Sequence, residues 1–155
     1  KKNLSRSWPE STREKDLDQE YRILSPSDFG FHNVIKQGGE ITFIDFEYFG
    51  WDDPVKLTAD FVWHPAVDLD PELAGAWESA MAELFADDPD FSHRLSAAKP
   101  LYGMRWAMIV LNEFLPGFAE RRRNAMSASA YDAEAAQAAQ LYKARRYCER
   151  VERMG

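Results

Sequence analysis

The chain has 155 residues, with 19 Lys and Arg against 26 Asp and Glu, and a net charge of −7. This length suffices for a domain with its own hydrophobic core, whereas the acidic balance argues against a nucleic-acid partner, whose phosphates are held by excess Lys and Arg. The single cysteine, Cys148, excludes an internal disulfide. Apolar runs fall far short of the ~20 residues of a membrane span, and no signal segment opens the chain, so we expect a cytoplasmic protein without a membrane partner.

The first third of the chain is predicted to contain its β structure. Residues 1–20 are polar and charged and lack apolar periodicity, which predicts a polar leader or a partial helix. Short strands are predicted at 21–24 and 33–35, on either side of a polar loop. Gly38 and Gly39 then predict a tight turn into a β-branched and aromatic strand at 41–46.

The rest of the chain is predicted to be helical. Asp53-Pro54 and Asp70-Pro71 each combine an N-cap residue with a proline at the first helical position. Apolar residues recur at three- and four-residue spacing from Leu73 to Leu84, from Leu101 to Leu115 and from Tyr131 to Val151, which predicts amphipathic helices. We therefore expect a mostly helical α+β fold with four or five helices.

Polar side chains with the chemistry of phosphate transfer surround the predicted hairpin. Asp28 and Asn33 lie five residues apart in the loop before it, and Asp45 and Glu47 lie at the end of its second strand. In phosphoryl transfer, one carboxylate orients the attacking hydroxyl and accepts its proton, and other groups hold the magnesium that neutralises the phosphates. Carboxylate and amide oxygens are the hard ligands that Mg²⁺ prefers.

The spacing of Asp28 and Asn33, followed by Ile44-Asp45-Phe46-Glu47 and Asp52-Asp53-Pro54, resembles the aminoglycoside phosphotransferase and choline kinase superfamily. That superfamily shares the design of its C-terminal lobe with protein kinases. The resemblance implies that Asp28 is the catalytic base and that Asn33 and Asp45 bind the magnesium and its nucleotide. It also implies that Glu47 lies on the metal or substrate side of the site.

The same resemblance implies a protein-kinase-like C-terminal lobe over residues 21–155. The catalytic and metal-binding segment would be 21–50, and 51–155 would form a helical substrate-side subdomain. Since no glycine-rich or Walker-type loop occurs in the sequence, the N-terminal lobe that covers the nucleotide is expected to be absent. When intact, the protein is expected to transfer phosphate from ATP, with Mg²⁺, to a hydroxyl of a small molecule. The acidic residues between 25 and 60 favour a cationic substrate.

Departures from the superfamily pattern leave alternatives open. Asp28-Phe29-Gly30 also spells the metal-binding motif of protein kinases, but no Asp with an Asn five residues later precedes it. Pro26-Ser27 stands where His-Gly is usual. This departure and the absent lobe favour, as the alternative, a non-catalytic kinase-like binding or regulatory module. A third interpretation is an all-helical interaction protein with an incidental acidic loop.

The remaining polar residues are expected to have structural roles. Asp52 and Asp53 are expected to cap the helix that begins at residue 54. Asp60 is expected to be tied to the backbone of the catalytic segment. His32 is expected to support its loop in preference to contacting a phosphate, and the three histidines with Cys148 lack the spacing of a zinc motif.

Overall fold

The computed structural model describes residues 16–67, 69–118, 121 and 132–154. Most of the predicted polar leader, and Tyr131 in the last predicted helix, lie outside the described residues. The chain divides into two compact units, Lys1–Tyr102 and Gly103–Gly155. None of the described helices combines the length and the apolar character that a membrane span requires.

Two small antiparallel sheets form the β part of the first unit. Strand β1 (Ile23–Ser25) pairs with β4 (Gly50–Asp52), and β2 (Val34–Gln37) pairs with β3 (Glu40–Phe43). The second pair is the predicted hairpin, whereas β4 was not predicted. The turn between β2 and β3 consists of Gly38 and Gly39, with φ of 58° and 91°. Glycine suits both positions, because two-residue hairpin turns of this kind need positive φ at both central residues.

Three helices build the core of the first unit. Helices α1 (Pro54–Trp63) and α2 (Pro71–Leu84) begin where the sequence predicted, since Asp53 and Asp70 each accept a backbone N–H of the first turn at 2.8 Å. The third helix is α3 (Phe91–Val110). Apolar side chains from all three meet in one cluster, which consists of Val55, Ala59, Met81, Phe91, Leu95 and Ala98.

Helix α3 begins earlier than predicted. The apolar pattern starts at Leu101, but the helix starts at Phe91 and continues through Pro100. Proline lacks a backbone N–H and usually ends or kinks a helix. Tertiary contacts override that preference, and the indole Nε1 of Trp63 donates to the Lys99 carbonyl at 2.8 Å.

The second unit contains the end of α3, a 3₁₀ helix at Leu111–Phe114 and helix α4 (Ala133–Glu152). The 3₁₀ helix contacts α4. An Asp132 N-cap begins α4, because its carboxylate accepts the N–H of Ala135 at 3.0 Å. The buried residues of α4, Ala144 and Val151, belong to the predicted apolar stripe. The expected mostly helical α+β class is therefore confirmed.

A buried ion cluster ties the start of α1 to α3. The Arg94 guanidinium donates to the two oxygens of Asp88 at 3.0 and 2.8 Å, and to Oδ1 of Asp53 at 3.2 Å. Burial alone lowers the pKa of Arg94, but its bonds to Asp88 and Asp53 outweigh burial and raise that pKa above the ordinary value. Asp53 therefore caps α1 and binds α3 with the same carboxylate.

We expect Arg94→Met to lower the free energy of unfolding by about 3–5 kcal/mol, because the buried carboxylate of Asp88 loses its partner. Chemical denaturation followed by circular dichroism measures the change. The exposed Arg145 provides the control, since Arg145→Met is expected to stay within about 0.5 kcal/mol of the wild type. Equal losses for the two variants would show that the buried cluster does not stabilise the fold.

Candidate functional site

A strained turn precedes the predicted catalytic base. Ser27 lies at the centre of a three-residue turn in which the N–H of Asp28 donates to the carbonyl of Pro26 at 2.7 Å. The φ of Ser27 is 63°, in the left-handed region that costs a residue with a side chain about 1–2 kcal/mol. Such a conformation persists only where the surrounding structure holds it.

Contacts from three directions hold Ser27 in this turn. Its N–H donates to Oγ of Ser25 at 3.1 Å, its hydroxyl donates to Oδ2 of Asp52 at 3.4 Å, and its carbonyl accepts from Nζ of Lys56 at 3.3 Å. The same Nζ lies 3.1 Å from Asp52 and 3.3 Å from Asp60. Asp60 is therefore linked to the backbone carbonyl of Ser27 through Lys56.

Two stacked histidines face the carboxylate of Asp28. Nε2 of His32 lies 3.3 Å from Oδ2, and Nε2 of His64 lies 3.4 Å from Oδ1. The imidazole centroids are 4.1 Å apart and the ring planes differ by 3°. The exposed fraction is 44% for the Asp28 side chain and 11% for His64, so solvent reaches this group from the carboxylate side.

Aromatic packing brings His64 to the loop. His64 directly follows α1, and Phe61 lies one turn earlier in that helix. Two loop residues, Phe29 and Phe31, contact the ring of Phe61, with centroid separations of 5.6 and 5.4 Å. The loop is thereby fixed to the C-terminal half of α1, where the helix ends at His64.

Two backbone features position the histidine rings. A Cβ at Gly30 would lie 2.8 Å from Cε1 and Nδ1 of His32, so glycine leaves the room that the ring occupies. The backbone N–H of Ala66 donates to Nδ1 of His64 at 3.1 Å. A neutral His64 therefore carries its proton on Nε2, the nitrogen that faces Asp28.

The pKa of His64 is lower than its ordinary value. Burial is the main cause, and the neighbouring His32 lowers the pKa further, while Asp28 and Asp60 act in the opposite direction. The uncharged imidazole is therefore the form that the folded protein holds at neutral pH.

The predicted ligands Asn33 and Asp45 lie at the open end of the hairpin. The side-chain nitrogen of Asn33 donates to the backbone carbonyl of Asp28 at 2.9 Å, and the carbonyl of Asn33 accepts the N–H of Ile44 at 2.9 Å. The second bond extends the hairpin beyond its Val34–Phe43 pair. Asp45 therefore follows directly after the residue that pairs with Asn33.

Asp45 also has a left-handed backbone, with φ of 64°. Among the described residues other than glycine, only Ser27 and Asp45 have a positive φ. Asp tolerates this conformation better than most residues do, and such outliers concentrate at functional sites. Ser27 directly precedes the predicted catalytic base, and Asp45 is itself a predicted metal ligand.

Glu47 acts on the neighbouring Tyr48. Hydrogen bonding and charge from Glu47 raise the pKa of the Tyr48 hydroxyl above its ordinary value, with smaller contributions from burial, Asp45 and Asp28. The three predicted carboxylates, Asp28, Asp45 and Glu47, thus all raise the pKa of the Tyr48 hydroxyl. Neither Asp45 nor Glu47 joins a three-member group of acidic or histidine ligand atoms within 4.8 Å in the described part of the chain; the group that does so is Asp28, His32 and His64.

Sequence reasoning missed this histidine pair. His32 does support its loop, as expected, but the spacing of the histidines gave no sign that His64 would stack on His32. The local signal was limited to Asp28 and His32, four residues apart in a loop. The partner that completes the group comes from the far end of α1, so tertiary packing alone brings it there.

Comparison of the chain with protein-family models, with curated proteins and with solved structures gave no match in any of the three. The resemblance to the aminoglycoside phosphotransferase superfamily, and the roles that it implies for individual residues, stay predictions.

We expect the contribution of His64 to the free energy of unfolding to be present above pH 6.5, the ordinary pKa of histidine, and to be lost as the pH falls through the lower folded-state pKa. The unfolded chain binds the proton more readily than the folded chain in that window, so acid favours unfolding. Denaturation curves between about pH 5 and 8 measure this loss for the wild type and for His64→Gln, which should lose less.

The control for this comparison is His93→Gln, since His93 is exposed and lies outside the group. It should keep the wild-type loss of stability below pH 6.5. If His64→Gln lost as much stability as the wild type over the same window, the pKa of His64 would not be lowered in the folded state.

Proposed function

We propose that the chain is the C-terminal part of an ATP- and magnesium-dependent phosphotransferase that acts on a hydroxyl of a small molecule. One observation carries this proposal. Asn33 binds the backbone of Asp28 through its side chain and pairs with Ile44 through its main chain. Asn33 therefore joins the proposed base to the hairpin by hydrogen bonds, and Asp45 directly follows the residue that pairs with Asn33.

Asp28 is the proposed catalytic base. Its carboxylate would orient the substrate hydroxyl and accept the proton, while the hydroxyl oxygen bonds to the γ-phosphorus and the bond from that phosphorus to ADP breaks. Positioning supplies much of the catalysis in such reactions. The strained turn at Ser27 and the contacts from His32 and His64 restrict the position of this carboxylate.

The donor atoms at the hairpin end suit magnesium. The amide nitrogen of Asn33 donates a hydrogen bond to the carbonyl of Asp28. The amide oxygen of the same side chain can therefore bind a cation. Asp45 supplies a carboxylate, and Glu47 supplies a further one two residues later. Mg²⁺ prefers such oxygen donors and keeps several waters; when bound, it would neutralise the charge of the phosphates.

Exposed apolar residues support the proposal that an N-terminal lobe is a partner of this chain. The segment 24–51 exposes many large apolar side chains, a concentration that soluble proteins use mainly at interfaces. We propose that the nucleotide-covering lobe packs on this segment. The exposed residues are Leu24, Phe31, Ile35, Ile41, Phe43, Ile44, Phe46, Tyr48, Phe49 and Trp51.

The charge of the segment supports a cationic substrate, such as an amino sugar or an amino alcohol. Asp28, Asp45 and Glu47 act together on the Tyr48 hydroxyl, so their negative field reaches a shared point. Lys56 is held between Asp52 and Asp60 and adds no net positive charge there. Charge complementarity then favours an ammonium group in the substrate.

We expect Asp28→Asn in the full-length protein to lower kcat about 10²–10⁴-fold, because the amide accepts no proton from the attacking hydroxyl. Phosphate transfer to amino sugars and amino alcohols, followed by release of ADP, measures the loss. The exposed Asp87 provides a matched control, and Asp87→Asn should retain wild-type turnover. Retained activity in Asp28→Asn would remove Asp28 from the role of base.

We expect Asp45→Asn to weaken magnesium-dependent ATP binding, measured by calorimetry on the full-length protein with and without Mg²⁺. Asparagine tolerates the left-handed backbone of this position, so the variant removes the charge without adding strain. Asp87→Asn again serves as the control. A wild-type protein that bound no ATP in the presence of Mg²⁺ would instead favour the non-catalytic kinase-like module.

A further inference from the structure

We propose that Asp28, His32 and His64 form a binding site for a divalent transition-metal ion of the zinc class, distinct from the magnesium of the proposed reaction. The group offers two imidazole nitrogens and a carboxylate, whose ligand atoms all lie within 4.8 Å of one another. Imidazole suits Zn²⁺, Co²⁺ and Ni²⁺, whereas Mg²⁺ prefers oxygen ligands alone. The nitrogen content of the group therefore selects a different class of ion.

The separations from Asp28 are close to those between neighbouring metal ligands. With metal–ligand bonds of about 2.0–2.1 Å, two neighbouring ligands of a tetrahedral ion lie about 3.3–3.4 Å apart. Oδ2 of Asp28 lies 3.3 Å from Nε2 of His32, and Oδ1 lies 3.4 Å from Nε2 of His64. Because the imidazole planes differ by only 3°, one ring must rotate before both Nε2 atoms can point at one ion.

The surroundings leave one side of this site open. Asp28 is the most exposed member and His64 the least, so an ion can arrive from solvent over the carboxylate. Three protein ligands leave a fourth position for water, the arrangement of zinc sites that exchange ligands. Gly30 keeps the space that the His32 ring fills, and the stacked imidazoles present both Nε2 atoms to the same carboxylate.

Ala66 limits the affinity. A neutral imidazole that binds a metal through Nε2 carries its proton on Nδ1, yet Nδ1 of His64 accepts the N–H of Ala66. Metal binding must therefore move the ring proton from Nε2 to Nδ1 and break this bond. Histidines of tight sites donate that second nitrogen to an acceptor, a feature worth about 10–100-fold in affinity. We accordingly expect micromolar binding, in the range of a reversible site.

Titration of the full chain with Co²⁺ tests the site, because tetrahedral Co²⁺ has visible absorption bands. We expect the wild type to show these bands. Added Zn²⁺ should abolish them, whereas added Mg²⁺ should not. His32→Ala and His64→Ala should each weaken binding at least about tenfold, as removal even of a supporting group does. His93→Ala and Cys148→Ser are the controls and should bind as the wild type does.

Gly30→Ala tests the geometry with every ligand retained. The added Cβ would come within 2.8 Å of His32 and displace its ring, so Co²⁺ affinity should fall at least about tenfold. Circular dichroism of the metal-free variants verifies that they fold. For the wild type, ring-nitrogen NMR needs no variant: Zn²⁺ should shift two of the three histidines and leave the third unchanged.

Two results would overturn the metal site: wild-type protein without Co²⁺ bands at millimolar metal, or unchanged affinity in folded His32→Ala or His64→Ala. The titration requires neither ATP nor substrate, so it is independent of the proposed function. One further expectation rests on the proposed function. Micromolar Zn²⁺ should inhibit phosphate transfer, because the ion would occupy Asp28. Bands in an inactive protein would support the metal site and count against the phosphotransferase.

Discussion

The Lys56 ammonium group joins the strained turn at Ser27 to the buried helix α1, and the position of Asp28 follows from that contact. Its charge is shared between Asp52 and Asp60, and its remaining contact is the carbonyl of Ser27. A left-handed serine costs about 1–2 kcal/mol, while a hydrogen bond to a charged group contributes about 1.5–3 kcal/mol. One lysine is therefore enough to offset the strain that places the carboxylate.

Helix α1 connects the Asp53 cap at its N-terminus to His64 at its C-terminus. Its first turn is capped by Asp53, which also binds Arg94, and its last residue is followed by His64. Ten residues at about 1.5 Å each separate these ends by roughly 15 Å, and one residue more or less would turn His64 by about 100° away from Asp28. The burial of α1 on nearly every side removes the freedom to compensate for such a change.

Local signals account for what the sequence predicted. The caps at Asp53 and Asp70 and the turn at Gly38 and Gly39 depend on neighbours within four residues, and all of them are found in the structure. The continuation of α3 through Pro100 and the stacking of His64 on His32 depend on packing between distant segments. Composition and spacing carry no record of such packing, so the caps and the glycine turn were predictable and the stacking of His64 on His32 was not.

The two proposed roles of Asp28, as a base and as a metal ligand, compete for one carboxylate. The Ala66 amide decides between them in the metal-free protein, since it keeps the proton of His64 on Nε2. That proton faces the carboxylate of Asp28 and repels a cation. A metal ion must reverse this tautomer before it binds. In the metal-free protein this tautomer therefore disfavours a cation at Asp28, so occupation of the proposed metal site depends on the concentration of the ion.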